Sequence, residues 1–319
     1  MPPTLFVVVD TEEEFDWNAP YRRSNTAVTA MRHIGRAQSI FERFGVSPTY
    51  VIDYPVAAQP EGYEPLQEIA AAGRCLIGAH LHPWVNPPYD EDVNAHNSFM
   101  MNLPAWLQRS KLEALSQAIA SRFPSPRVFK AGRYGLGQET VTILDSLGFE
   151  VDNSVSPAMD FTREGGPSFI GMNSMPFFLT NDLLELPCTI DYVGWAGTFR
   201  ETLHNLASNE ALQRVRAVGV LAKAGVVNKI MLSPEGNSFN EMRALTESLM
   251  ARAHRTFTLT FHSPSVASGH TPYVRSESDL QKFLGDIERF CEFFFGTLGG
   301  VASSPLEFKA LASSVQESV

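Results

Sequence analysis

The stretch Leu5-Phe6-Val7-Val8-Val9-Asp10-Thr11-Glu12-Glu13-Glu14-Phe15 decides how the rest of the chain is read. An unbroken apolar run ending in a carboxylate predicts a strand buried on both faces, as in a parallel sheet. Side chains alternate along a strand, so Asp10 and Glu12 fall on the same side at its exit. Two carboxylates side by side repel unless a metal ion or a basic side chain offsets them. Taken alone, Glu12, Glu13 and Glu14 read equally as charges solvating a loop.

Outward from this strand, apolar segments of four to eight residues alternate with helical patterns. Strands are predicted at Thr49–Ile52, Cys75–His82, Val128–Gly132, Phe149–Asp152, Leu183–Pro187, Lys229–Leu232 and Phe257–His262. Helical spacing marks Ala27–Phe44, Glu64–Ala72, Pro104–Phe123, Gln138–Leu147, Asn209–Ala224, Phe239–His254 and Leu280–Phe295. Such alternation predicts parallel βαβ units, and about seven repeats of it predict an α/β fold of the distorted (β/α)7-type barrel. A barrel occupies about 250 residues as one domain. With no repeat or linker in 319 residues, a single domain spanning 1–319 is expected. Two long loops, 85–103 and 156–181, interrupt the pattern.

Composition narrows the partners. The formal net charge of −10 argues against nucleic acid. Cys75, Cys188 and Cys291 form no Cys-x-x-Cys pair and read as reduced residues. Met1-Pro2-Pro3 runs straight into the first strand without a basic and apolar leader, and no apolar stretch has the roughly 18 residues of a membrane span. A cytoplasmic protein is expected, with no membrane span and no nucleic-acid partner.

In a parallel barrel the reactive groups gather at the C-terminal ends of the strands. Those ends here supply Asp10 and Glu12, His80 and His82, Lys130 followed by Arg133-Tyr134-Gly135, and His262. His80 and His82 are two apart on an extended strand, so both imidazoles face one way. Two imidazoles and a carboxylate suit a divalent metal with an open position, where bound water acidifies to about pH 7. No Gly-x-Ser-x-Gly elbow, P-loop or dinucleotide loop is present, and no organic cofactor is expected.

The stretches Val9-Asp10-Thr11-Glu12, Ile77-Gly78-Ala79-His80-Leu81-His82-Pro83, Phe129-Lys130-Ala131-Gly132-Arg133-Tyr134-Gly135 and Thr260-Phe261-His262 together resemble the polysaccharide deacetylase family (carbohydrate esterase family 4, the NodB-homology domain), in family order over residues 5–265. The sequence departs from the family in using Asp-x-Glu for adjacent aspartates, His-x-His for His-x-x-x-His, and Thr260 for a late leucine. The resemblance implies a metal-dependent hydrolase that removes an N-acetyl or similar acyl group from an amino sugar or polysaccharide. It implies Glu12, His80 and His82 as ligands of a divalent ion, zinc by its mixed N and O donors. Asp10 would be general base, held ionised by Arg133 or, second, Lys130. His262 would be general acid, and the Tyr134 backbone N–H would face the oxyanion. Asp152 and Asp191 are candidates for the family's fourth motif. Competing readings are a two-carboxylate glycosidase using Glu12 and Glu235, and a barrel that only binds carbohydrate. Trp84, Tyr89, Phe161, Phe169, Phe177 and Phe178 in the long loops suit stacking on sugar rings, or local packing.

Overall fold

The computed structural model describes residues 2–195 and 225–316. The expected helix Asn209–Ala224 lies outside the described residues. The strands are β1 (Thr4–Thr11), β2 (Thr49–Ile52), β3 (Leu76–Leu81), β4 (Val128–Ala131), β5 (Val151–Asp152), β6 (Phe177–Phe178), β7 (Leu184–Glu185), β8 (Ile190–Val193), β9 (Asn228–Met231), β10 (Thr256–His262) and β11 (Val301–Ala302). The main sheet runs β10-β1-β2-β3-β4-β5-β7-β6, with β11 added to β1. Neighbours from β10 through β7 are parallel, and only the edge pair β6–β7 is antiparallel.

The sheet curls into a half-barrel. The chain beyond β7 bridges much of the remaining gap: Thr258 N–H donates to Thr189 Oγ1, Leu232 N–H to Thr189 O, and Thr260 N–H to Leu232 O. One expectation needs correcting. The Lys229–Leu232 segment is a strand, but β9 pairs antiparallel with β8 in a separate two-stranded sheet. Leu232, the residue after β9, accepts from Thr260 N–H of β10.

Alternation along the strands separates two environments. Leu5, Val7 and Val9, with Ile77, Ala79 and Leu81, Phe129 and Ala131, and Phe257, Leu259 and Phe261, face the outer helices and build the larger core. Those helices include α1 (Gly35–Arg43), α4 (Ala105–Ala120), α5 (Gln138–Ser146), α6 (Phe239–Met250) and α7 (Glu277–Cys291), with α2 (Tyr54–Ala58) and α3 (Pro60–Ala71) between β2 and β3. The opposite parity faces inward. Phe6, Val8, Val51, Val128, Val151 and Leu186 form a second apolar cluster. Leu306 and Phe308 of the terminal helix α8 (Pro305–Gln316) pack on it, with the Phe6 and Phe308 rings edge-to-face at 5.2 Å. One turn above this floor, the same inward parity supplies Asp10, His80, Lys130 and His262.

Sequence periodicity missed β6, β8, β11, α2 and α8. The first three hold two to four residues, too short for a period-two signal to stand out. The three cysteines are free, with Cys188 and Cys291 buried.

Candidate active site

Asp10 sits opposite His262 in the β1–β10 register, and His80 opposite Lys130 in β3–β4. These two pairings assemble the site. Glu12 follows the end of β1, its backbone N–H donating to Ser263 Oγ at 3.2 Å. Its Oε2 lies 3.4 Å from His80 Nε2 and 3.5 Å from His82 Nε2, and all three side chains are buried.

The hydrogen bonds of the two imidazoles settle which nitrogen faces inward. His80 Nδ1 lies 3.0 Å from the Lys130 carbonyl, which can only accept, so Nδ1 carries the proton. His82 Nδ1 lies 2.8 Å from Glu13 Oε2. His80 therefore turns an Nε2 lone pair toward the Glu12 carboxylate, and His82 turns its Nε2 the same way. Burial holds both imidazoles neutral, lowering His80 below its usual value and His82 to about 4, and it pushes Glu12 up to about 7. Glu12 Oε1 is buried with no hydrogen-bond partner among the described residues. Two Nε2 atoms and a carboxylate facing one another, with an orphaned oxygen beside them, form a donor set that fits a divalent cation. Gly132 makes room for it: a Cβ there would stand 2.2 Å from His82 Cδ2 and 2.5 Å from Leu81 O.

Beside this cluster Asp10 is held by Lys130, the second of the two expected cations, and not by Arg133. Lys130 Nζ lies 2.7 Å from Asp10 Oδ1 and donates to Thr260 Oγ1 at 2.9 Å. Burial alone would raise Asp10, but Lys130, His80 and His262 outweigh it and hold the carboxyl below its ordinary range. Thr260, a departure from the family's leucine, thus has a polar task. Arg133 turns elsewhere. Its guanidinium donates to Ser98 Oγ at 2.6 Å, pairs with Glu164, and lies 3.9 Å from the centre of the Phe99 ring. It ties both long loops to the end of β4 and lines the pocket. Arg133 and Tyr134 both have positive φ, 53° and 58°, a conformation costing about 1–2 kcal/mol per non-glycine residue. The Tyr134 ring stacks on Phe161 at 5.5 Å.

His262 Nδ1 lies 2.7 Å from Glu235 Oε2, and its Nε2 3.7 Å from Asp10 Oδ2. Burial opposes protonation, but Glu235, Glu12 and Asp10 outweigh it and push the imidazole up to about 10. Glu235 also accepts from the His262 backbone N–H and from Ser265 Oγ. Glu235 is thus the carboxylate hydrogen-bonded to His262. Asp152 sits on the outward parity, bonded to Ser154, and Asp191 pairs with Arg252. The signal available was Glu235 ending the Ser233-Pro234-Glu235 turn after a strand.

Glu13 departs furthest from its loop-charge reading. It is buried, accepting from His82 Nδ1 and, at 2.8 Å, from Trp84 Nε1, while its backbone N–H donates to Asp53 Oδ2. Glu14 caps a short turn through Thr29 and Ala30 and pairs with His270. His254 is buried against Phe257.

The residues enclose a pocket of about 340 Å³ walled by Phe15, Trp17, Tyr21, Tyr134, Phe161 and Tyr273. Of the loop aromatics proposed for stacking, Phe161 alone lines it. Trp84 is buried under His82, Phe169 joins the core, and Tyr89 packs beneath Arg23.

No family model and no curated protein matches the chain. Solved structures do. A protein assigned as a polysaccharide deacetylase, from Mycobacterium smegmatis, aligns over 99% of this chain and 92% of its own, with 15% identity and a TM-score of 0.52. The 4-alpha-glucanotransferase of Thermococcus litoralis aligns over 97% of this chain and 40% of its own, with 10% identity and a TM-score of 0.53. The family 4 carbohydrate esterase of Streptomyces lividans, in complex with acetate, aligns over 95% and 93%, with 10% identity and a TM-score of 0.44. The fold is thus that of polysaccharide deacetylases, as the sequence resemblance implied. It is shared with a glucanotransferase, so the chemistry has to be argued from the site. Among the described residues no helix is long and apolar enough to cross a membrane.

Proposed function

We propose that the chain is a divergent polysaccharide-deacetylase-type hydrolase, a single catalytic domain over 1–319, cleaving an N-acetyl or similar acyl group from an amino sugar or polysaccharide. The observation that carries this reading is the convergence of Glu12 and the two Nε2 atoms of His80 and His82, with Asp10 adjacent. The mixed N and O donor set suits zinc. When bound, such an ion would polarise the acyl carbonyl and acidify a water.

The chain's own groups divide the remaining work. Asp10, ionised by Lys130, takes the proton of the attacking water. His262, oriented and kept cationic by Glu235, delivers a proton to the amine nitrogen as the C–N bond breaks. The Tyr134 N–H, set by the left-handed turn at 133–134, steadies the developing oxyanion. Arg133 positions the loops that wall the pocket, and the aromatic side chains offer faces to a sugar ring. The glycosidase reading leaves the imidazoles without a task, and Glu235 already serves His262.

The test is acetate release from N-acetylated glucosamine oligomers by the zinc-loaded protein, its chelated form and Asp10→Asn. Activity is expected only in the loaded wild type. Protein that carries no metal and keeps full activity in chelator would rule the proposal out. Sugar binding without acetate release, unchanged by Asp10→Asn, would leave a carbohydrate-binding barrel.

A further inference from the structure

The carboxylate of Glu13 accepts two hydrogen bonds from two stacked rings. Oε2 takes His82 Nδ1 at 2.8 Å, and Oε1 takes Trp84 Nε1 at 2.8 Å. The two rings lie 4.3 Å apart with their planes 19° from parallel. Glu13 is held from behind: its N–H donates to Asp53 Oδ2, and Asp53 caps α2 by accepting from Val56 N–H. All four side chains are buried.

We infer that Glu13 is a positioning residue for His82, whose double acceptance fixes the imidazole in the tautomer that turns its Nε2 lone pair toward Glu12 and His80. This rests on the metal-site reading above. The reasoning concerns donors and acceptors. An indole nitrogen can only donate, so the group between the rings has to accept from Trp84. A carboxylate accepts at both oxygens, leaving His82 Nδ1 to donate. An amide accepts at one end and donates at the other. In Glu13→Gln the amide oxygen must serve Trp84, and its NH₂ then faces His82 Nδ1. The imidazole is driven to accept there, its proton moves to Nε2, and the lone pair meant for a metal is lost.

The same logic supplies a rescue. Trp84→Phe keeps an aromatic face against His82 and removes the indole donor. In the double variant Glu13→Gln/Trp84→Phe the amide is free to turn its oxygen to His82, restoring the Nδ1–H form. A merely structural role predicts the opposite, since two buried substitutions accumulate damage.

The experiment has two readouts on the full chain at alkaline pH. Long-range ¹H–¹⁵N spectra of the metal-free protein, labelled in its histidine rings, report the His82 tautomer. Competition against a chromophoric chelator reports zinc affinity. The expected results are Nδ1–H in wild type, Nε2–H in Glu13→Gln with affinity lowered about 10- to 100-fold, the range for lost outer partners of metal-ligating histidines, and recovery of both in the double variant. An Nε2–H tautomer in wild type, an unmoved tautomer in Glu13→Gln, or a double variant worse than the single would each overturn the inference. Should the single variant fail to fold, the wild-type tautomer and the double variant still decide. Wild type with the expected tautomer but no zinc affinity would defeat the metal-site reading while leaving Glu13's hold on His82 intact.

Discussion

The floor and the mouth of the half-barrel share β1 and β4 and one side-chain parity, yet they obey opposite rules. At the floor, Phe6, Val8, Val51, Val128 and Val151 close on one another and on Phe308. Two residues further along β1 and β4 the inward positions are Asp10 and Lys130, joined across the sheet by His262 of β10 and His80 of β3. The floor is stabilised by removing apolar surface from water, which needs no particular partner. The mouth is buried almost as deeply but survives only because each polar group has a specific counterpart. Errors at the floor should cost stability in proportion to lost volume. Errors at the mouth should cost whatever charge they leave alone.

The largest expected effect is at the mouth. Glu12→Ala or His80→Ala removes a metal donor, and deacetylation should fall by about 10³-fold or more, the kinetic equivalent of the several kcal/mol a Lewis acid supplies. Circular dichroism should report an intact fold. Equal loss on replacing Val8 by Ala would erase the distinction between the two ends.

Lys130→Met should follow, leaving Asp10 buried without its cation. Urea titration should show a loss of about 3–5 kcal/mol, whereas Asp10→Leu/Lys130→Met should recover most of it, because hydrophobic replacement of a whole buried pair is often neutral. Phe6→Ala, at the floor, should cost about 3 kcal/mol through cavity formation with zinc affinity unchanged.

A pH experiment sharpens the comparison further. Burial raises Glu12 in the folded protein to about 7 from an ordinary value of 4.5. A carboxyl whose pKa rises on folding contributes most below its unfolded value, and that contribution is lost as pH climbs through its folded value. Glu12's own contribution in the metal-free protein should therefore be lost between about pH 4.5 and 7. Chemical denaturation should show a flatter profile in Glu12→Gln, and zinc should restore wild-type stability at the upper end. The smallest effect belongs to the rim: Glu164 is 58% exposed in its pair with Arg133, so Glu164→Ala should change stability by about 1 kcal/mol or less.

Local pattern made much of this legible. The first strand, the His-x-His pair and the final His262 stand out because burial on both faces writes an apolar run, and strand ends interrupt it with charge. The closeness of Asp10, Glu12, His80 and His82 follows from parallel topology. Arg133 was the preferred partner of Asp10, yet Lys130 has the inward parity of β4, and the turn at 133–134 sends Arg133 to Ser98 and Glu164. Glu13 looked like one charge in an acidic run, because its partners lie 40 and 69–71 residues away.

By itself the sequence determined the strand order's raw material and which residue types would stand at the strand ends, since alternation and burial act over a few neighbouring positions. Which carboxylate meets which basic group was settled by three-dimensional packing: Asp10 with Lys130, Glu235 with His262, and Glu13 with the neutral His82. Those choices depend on strand register and on turns that bring distant segments within hydrogen-bond range, where separations of a few tenths of an ångström distinguish a partner from a bystander.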